Sequence, residues 1–468
     1  MARAKPPSTA WRNPGILSSS GGDFAMHHTL IATLAAAVTA LLAFGASAAA
    51  TLPHYADDIH LGVASCAGST CHGAVEPWKD STVLQNEYIT WTRRDKHAKA
   101  YEVLLNDRSK LIARNLGLPN AHTASICLDC HADNVAADKR SKQFQISDGV
   151  GCESCHGGAA RWLGIHVAGQ ANHQANLGAG MYPTEDPIER ARLCLSCHFG
   201  DDRKFVTHRI MGAGHPRMSF ELDTFTSIQP AHYRVDADYA KRKKVASGVQ
   251  TWAIGQAMAL AQIMDSMVDP KRARDGIFPE LVTFDCHACH HPMSNVRWQA
   301  RASTGLGPGV VRLNDANAIM LQAITRRVAP ELGQRLSQQM LALHAAVSQG
   351  RGSAPDTAKA VGEVARQLVT RFAGHNFSRE DMQSMFTALL AQGRAGEFTD
   401  YSGAEQATMA MSALAASLRQ AGAIDDRQLQ AINAALAKCY DATKEDEKYR
   451  PQAFVEALAG VEAALPKL

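Results

Sequence analysis

The sequence is poor in aromatic residues, in net charge and in long apolar runs, and each shortage excludes a class of protein. Only 6% of the 468 residues are aromatic, which is few for a chain that must fill several hydrophobic cores. The formal charge of +3 gives no electrostatic basis for nucleic-acid binding. With 46% hydrophobic and 20% charged residues, the chain is nevertheless too apolar for wholesale disorder.

The longest apolar run, residues 30–44, is too short to span a bilayer, which takes about 20 residues. It has the length of the hydrophobic part of a signal peptide, and the small residues at 46–50 suit cleavage. We therefore expect residues 1–50 to be a signal peptide and the mature chain to be periplasmic, with a retained N-terminal anchor as the alternative. Residues 1–25 are long and polar for such a start, so Met26 is a second candidate for the first residue.

The chain changes character near residue 300. Residues 51–300 hold ten of the 11 cysteines and 16 of the 20 histidines, and their lack of sustained periodicity predicts short helices joined by loops. Residues 301–468 are rich in alanine and have helical spacing, as in Val361, Val364 and Leu368, which predicts about six helices in a bundle or layer. Strand alternation is weak throughout. The predicted fold is mostly α with extensive loops and little β structure.

Four segments match Cys-x-x-Cys-His, at residues 127–131, 152–156, 194–198 and 286–290. This is the attachment signature of c-type haem: two thiols bond to the vinyl groups, and the next histidine becomes the proximal ligand of the iron. Composition alone predicts only about 0.01 such matches by chance.

A fifth segment, 66–72, has four residues between its cysteines instead of two. The thiols must still reach the same vinyl groups, so the longer loop has to bulge outward, and Gly68 permits a bulge. We expect a fifth haem here. The alternatives are a haem held by Cys71 alone and a Cys66–Cys71 disulfide.

Zinc and structural disulfides are the competing interpretations of the paired cysteines. Zinc ribbons use Cys-x-x-Cys but do not require a histidine directly after each pair, so no zinc is expected. Disulfides suit an exported chain but leave the recurring histidines unexplained. Cys439 stands alone on a predicted helix and is interpreted as a buried thiol.

The predicted sites therefore consist of three groups of residues. The covalent haem attachments are Cys66, Cys71, Cys127, Cys130, Cys152, Cys155, Cys194, Cys197, Cys286 and Cys289. The proximal iron ligands are His72, His131, His156, His198 and His290. The distal ligands have more candidates than places, and context favours His97, His122, His166, His215 and His291 over His173, His208 and His232.

At these residues the chain resembles the multihaem cytochrome c-554 family. The matching elements are the motif 71–73, Trp91 with His97, the motif 127–131 and the glycine-flanked motif 152–156. The resemblance covers roughly residues 65–200. It implies a periplasmic electron carrier with closely stacked haems ligated mostly by two histidines, and it implies that His97 and His166 are distal ligands.

Two functions follow from five haems in one chain. The first is a non-catalytic carrier that relays single electrons between redox protein partners. The second is an oxidoreductase in which one open haem acts on a small nitrogen or sulfur species. Residues 313–468 and the basic runs at 241–244 and 271–274 are candidate docking surfaces for a partner, although solvated faces explain these runs equally well.

Overall fold

The computed structural model describes residues 49–168, 172–272, 279–290, 301–307 and 309–466. The predicted signal peptide therefore lies outside the described residues, except for its last two. Within the described part of the chain, the regular structure is helical, with no strand and only two isolated bridges, His60–Arg140 and Phe284–Leu313. The predicted fold class is confirmed.

The α-helices are short before residue 248 and long after it. The short ones are α1 Glu87–Arg94, α2 Ala100–Val103, α3 Asp107–Asn115, α4 Ser125–His131, α5 Cys152–His156, α6 Leu163–Val167, α7 His173–Gly178, α8 Pro187–His198, α9 His208–Gly212, α10 Leu222–Ile228 and α11 Ala237–Arg242. The long ones are α12 Gly248–Val268, α13 Ala316–Val328, α14 Pro330–Gln349, α15 Ala354–Ala373, α16 Arg379–Arg394, α17 Tyr401–Gln420, α18 Asp426–Ala442 and α19 Pro451–Ala464.

The long helices have the sequence features that start and orient helices. Ser378 and Asp381 form the capping box that the sequence predicts at the start of α16. On α15 the side chains of Val361, Leu368 and Phe372 are fully buried, as their spacing predicts. These helices bury their apolar faces against one another in the main hydrophobic core. Cys439 is a buried free thiol in that core, as predicted.

Helix α12 is the central element of this core, although it precedes the boundary predicted near residue 300. It packs against α13, α15 and α17 on one side and against α8 and α10 on the other. Its buried residues lie all round the helix and include Trp252, Ile254 and Leu260. A helix that is apolar on every face is stable only when it is surrounded by protein. Helix α12 therefore joins the C-terminal helices to the cysteine-rich part of the chain.

A buried group of charges ties the last cysteine motif to the C-terminal helices. The Arg301 guanidinium lies 2.6 Å from Asp315, which precedes α13. Arg312 lies 2.9 Å from Asp285, next to the motif, and 3.4 Å from Asp400, which caps α17. All five side chains are at most 8% exposed. Buried charges of this kind are tolerated because each has an opposite charge and hydrogen bonds.

No helix in the described residues combines the length and apolarity that crossing a membrane requires.

Candidate haem sites

The cysteine motifs occupy short helical segments that present both thiols beside the histidine. Helix α4 contains the whole second motif, α5 is the third, and the fourth ends α8. Residues three apart lie on one face of a helix, so the two thiols of Cys-x-x-Cys point to the same side. None of the ten motif cysteines is joined to another cysteine in a disulfide in the described structure. The sites are numbered by their predicted proximal histidines: site 1, His72; site 2, His131; site 3, His156; site 4, His198; site 5, His290.

The expanded first motif is a closed loop. The carbonyl of Gly68 accepts hydrogen bonds from the backbone N–H groups of Cys71 and Gly73 at 2.8 and 2.9 Å. A Cβ at Gly68 would make an ordinary 3.5 Å contact with the Cys71 sulfur, so this position does not require glycine. The close approach is instead at Gly73, where a Cβ would overlap the carbonyl oxygen of Ala67. The four-residue insertion thus folds back onto the motif.

Each of the five predicted proximal histidines has a second histidine opposite it. The two rings of each pair belong to distant parts of the chain, and their centroids are 6.0 to 6.4 Å apart. The pairs are His72–His166 at site 1, His131–His215 at site 2, His156–His232 at site 3, His198–His97 at site 4 and His290–His208 at site 5.

This separation is the one that a metal between two imidazoles requires. A bond from a metal to a histidine nitrogen is about 2 Å long, and the ring centre lies about 1 Å beyond the nitrogen, so two trans ligands have centroids about 6 Å apart. Direct stacking would bring aromatic rings as close as about 4.5 Å. The pairs are therefore spaced to hold an iron between them.

In several of these rings the hydrogen bond is made by Nδ1, which leaves Nε2 free to bind a metal. Nδ1 of His131 donates to the carbonyl oxygen of Ala100 at 3.1 Å, and Nδ1 of His215 donates to that of Pro216 at 2.8 Å. A proton on Nδ1 places the lone pair on Nε2, which is the usual arrangement in metal-binding histidines. His173 has the opposite arrangement, because its Nε2 lies 2.6 Å from Glu185.

Two rings bond to carboxylates in the same way. Oε2 of Glu87 lies 2.9 Å from Nδ1 of His72, and Oδ1 of Asp95 lies 2.9 Å from Nδ1 of His97. Burial favours the protonated form of Asp95, but hydrogen bonds from His97 and Gln229 outweigh burial and lower its pKa to about 2. Asp95 is thus ionised at neutral pH.

At site 3 both rings are buried without a carboxylate partner. Burial, followed by the nearby His232, lowers the pKa of His156 to about 3. Burial likewise lowers the pKa of His232. Both imidazoles are therefore neutral near pH 7, which is the form that binds metals.

Glu153, inside the third motif, anchors that motif to an earlier segment. Its carboxylate accepts hydrogen bonds from the backbone N–H groups of Leu61, Gly62 and Ala159, each at 2.7 Å. The glutamate is 3% exposed. Three backbone donors satisfy a buried carboxylate and fix the residues around it. The acid at this motif position thus has a structural role.

Cysteines from different motifs are neighbours. The thiol of Cys66 lies close enough to that of Cys152 to shift its pKa, and the thiols of Cys130 and Cys197 are coupled in the same way. The Cys197 sulfur also lies 3.2 Å from the buried ammonium of Lys204. Site 1 therefore adjoins site 3, and site 2 adjoins site 4.

The surroundings of the motifs are apolar but incompletely packed. Before residue 187 the described chain has two small clusters of buried apolar side chains, one around Leu104 and Leu128 and one around Leu52 and Tyr182. Of the 18 large apolar side chains that are exposed in the described residues, 16 lie between residues 59 and 281. Large exposed apolar surface marks the binding site of another group.

The structure brings together three of the five predicted distal ligands. His97, His166 and His215 each lie opposite a proximal ring. His122 instead lies 6.5 Å from the ring of Tyr101, and the ring opposite His131 is that of His215. His291 lies outside the described residues.

Sequence reasoning ranked two of the paired histidines too low. His208 begins α9, and His232 follows Pro230 in a loop. Neither position has a local signal that separates it from His173. Only the three-dimensional structure places these rings opposite sites 5 and 3.

Comparison with known proteins agrees with the motifs. A family model described as cytochrome c554 and c-prime matches residues 65–157, a minor part of the chain. No curated protein and no solved structure matches the chain. Over residues 65–157 the chain is therefore similar to the cytochrome c554 and c-prime family, and this similarity supports a c-type cytochrome with covalent haem c that takes part in electron transfer.

Proposed function

We propose that the protein is a five-haem cytochrome that relays single electrons between redox partners, with two histidines on every iron. The observation that carries the proposal is the set of five histidine pairs, one at each cysteine motif, with centroids 6.0 to 6.4 Å apart. A zinc or disulfide framework has no need of a second histidine at that distance from each proximal one.

The residues of the chain hold and insulate the cofactor. The paired thiols would attach the porphyrin, and the two histidines of each pair would hold its iron. The haem iron would supply one-electron redox chemistry between its ferric and ferrous states. With two protein nitrogens on each iron, none would have a free position for a substrate. A carrier therefore fits this ligand set better than an enzyme.

The contacts between motifs define an order for electron transfer. Cys66 adjoins Cys152, which couples site 1 to site 3. The pKa of Cys155, in site 3, is raised by burial and then by the charges of Cys194 and Cys197, in site 4. Site 4 adjoins site 2 through Cys197 and Cys130. Sites 2 and 5 are linked by α9, because His208 of site 5 lies on this helix and His215 of site 2 follows it. The proposed order is therefore 1, 3, 4, 2, 5.

The cell compartment and the partners are part of the proposal. The predicted signal peptide supports export to the periplasm, where other carriers or membrane-bound enzymes are the partners. The basic run at 241–244 offers only limited attraction to an acidic partner, because Lys244 pairs with Asp186 at 2.5 Å and Arg242 pairs with Asp238. Close docking near site 1 or site 5, at the two ends of the order, is the expected mode.

Counting the haems tests the proposal directly. The mature protein from a host that matures c-type cytochromes is denatured, and pyridine haemochrome absorbance is compared with intact mass. Five covalent haems per chain support the proposal. Four would single out Cys66–His72 as the site where a disulfide replaces the haem, and none would end the haem interpretation.

The spin state separates the carrier from the alternative enzyme. Electron paramagnetic resonance of the fully oxidised protein should show only low-spin ferric signals. A high-spin signal together with turnover of nitrite, hydroxylamine or a small sulfur species would instead indicate one open haem and an oxidoreductase.

A further inference from the structure

The five sites differ in the charge of the group behind their histidines. At site 1 the ring of His72 faces the carboxylate of Glu87, and at site 4 the ring of His97 faces that of Asp95, each at 2.9 Å from Nδ1. Both carboxylates lie on the side of the ring away from Nε2. They therefore contact the imidazole that would bind the iron and not the position of the iron itself.

Both carboxylates are fixed in place by further hydrogen bonds. Oε1 of Glu87 accepts from the backbone N–H of Gln85 at 3.1 Å. Oδ1 of Asp95 also accepts from the backbone N–H of His97 at 3.0 Å, and Oδ2 accepts from the amide of Gln229 at 3.1 Å. The Asp95 side chain is only 6% exposed. Neither acid is a mobile surface group that meets the ring by chance.

Site 2 provides the internal comparison. Both of its rings donate to backbone carbonyl oxygens, His131 to Ala100 and His215 to Pro216. These acceptors are neutral. Site 2 therefore has the same kind of ligand pair and the same Nδ1 hydrogen bonding as sites 1 and 4, but neither of its rings is hydrogen-bonded to a carboxylate.

A carboxylate draws the Nδ1 proton away from the ring more strongly than a carbonyl does. The imidazole then becomes a stronger electron donor at Nε2, which stabilises ferric iron over ferrous iron. The negative charge itself acts in the same direction. Resting on the five-haem function proposed above, we infer that Glu87 and Asp95 lower the reduction potentials of sites 1 and 4 below that of site 2. Sites 1 and 4 are then reduced after site 2 in a titration.

The test removes each charge while keeping its shape. Glu87→Gln and Asp95→Asn retain an acceptor oxygen, and asparagine still caps the 3-10 helix Lys96–Lys99 that Asp95 caps. In the full mature holoprotein, each low-spin signal is followed by electron paramagnetic resonance during a redox titration. Each variant should raise the midpoint of one signal by at least a tenfold change in the ferrous-to-ferric ratio, about 59 mV for one electron. The site 2 signal should stay unchanged, and any change at site 3, whose His232 also interacts with both charges, should be smaller than at the site that carries the substitution.

Two matched variants serve as controls. Asp107→Asn removes the same charge from a fully exposed carboxylate, which pairs with Lys110, and should leave every midpoint unchanged. Glu87→Asp restores a carboxylate and should return the site 1 midpoint toward the parent value. If the Gln variant lost its haem, the Asn variant at site 4 would decide the question alone.

The two levels of the proposal fail in different ways. If the parent protein has five low-spin haems but E87Q and D95N titrate like it, the inference about the carboxylates is wrong. A shift of all five signals together would also overturn it, because a general electrostatic or folding effect would then be the cause. If the parent protein has fewer than five haems or a high-spin iron, the proposed function itself is wrong.

Discussion

Replacing His208 by alanine tests the distal assignments at the site where sequence and structure differ most. The sequence favours His291 as a distal ligand, whereas the structure places the ring of His208 6.0 Å from that of His290. The His208→Ala variant leaves the iron of site 5 with one protein ligand. A weakly bound water or an open position then replaces the imidazole, and the iron becomes high-spin.

The size of the effect follows from the number of sites. One of five irons changes its spin state, so about one fifth of the total ferric spin should move from low-spin to high-spin signals. In the reduced variant the open iron should bind one carbon monoxide per chain, whereas the parent protein should bind none. The backbone N–H of His208 donates to Glu280 at 2.8 Å, and alanine keeps that bond, so α9 should stay in place.

Two further variants control this experiment. His122 lies beside Tyr101 and opposite no proximal ring in the described residues, so His122→Ala should leave all five irons low-spin. His291→Ala should do the same. The assignment of His208 is refuted if H208A binds no carbon monoxide and keeps its low-spin signals, and above all if H291A shows the changes expected of H208A.

Three other predictions concern the motif loop and the buried charges. Gly73→Ala should lower the haem count from five to four, measured by intact mass, because its Cβ would overlap a backbone carbonyl of the first motif. Arg301→Met should lower the free energy of unfolding by about 3–5 kcal/mol in denaturant titrations, because it leaves the buried Asp315 without its guanidinium. Burial, followed by the charge of Glu221, raises the pKa of Asp223 to about 7. The unfolded carboxyl ionises near pH 4 and the folded one near pH 7, so its ionisation lowers stability across that range. Asp223→Asn should remove this part of the fall and leave the part that the buried Asp285 contributes. Relative to the parent protein, the variant should be stabilised by an amount that grows to about 2 kcal/mol at pH 7 and above, after a reduction for partial solvent contact. The prediction is wrong if the melting curves of variant and parent differ no more at pH 8 than at pH 5.

Sequence spacing predicts the proximal histidine of each site but not the distal one, because only the proximal histidine is joined through the chain to the cysteines of its motif. A proximal histidine such as His156 follows Cys155 directly, so the chain itself delivers the ring to the porphyrin that the thiol holds. The distal ring reaches the opposite face through space. His97 precedes its partner His198 by about a hundred residues, while His215 follows His131. No spacing rule covers both directions, and only the packed structure selects among the candidates.

The C-terminal helices were predictable where only one face is buried, because the buried side chains then recur in the sequence at helical spacing. On α15, Val361, Leu368 and Phe372 recur at helical spacing because the opposite face meets water. Helix α12 has no such period, because Trp252 and Ile254 are both buried and lie on opposite faces of the helix. Its signal was instead a stretch without charge before Asp265. Uniform burial, rather than amphipathicity, explains why its membership in the core was not evident from the sequence.

The unequal distribution of buried apolar side chains between the C-terminal helices and the cysteine-rich part explains the shortage of aromatic residues. From Gly248 onward the helices fill the main core with their own leucine, methionine and phenylalanine side chains. The cysteine-rich part has two small clusters of buried apolar side chains and most of the exposed ones. A chain segment that buries so little apolar surface cannot offset the conformational entropy of folding, which is about 1–2 kcal/mol per residue for the backbone. Five porphyrins would supply the missing apolar surface, and their thioether bonds would further restrict the unfolded chain. In the proposed function the cofactors would therefore be as much the core of this half of the protein as they would be its redox centres.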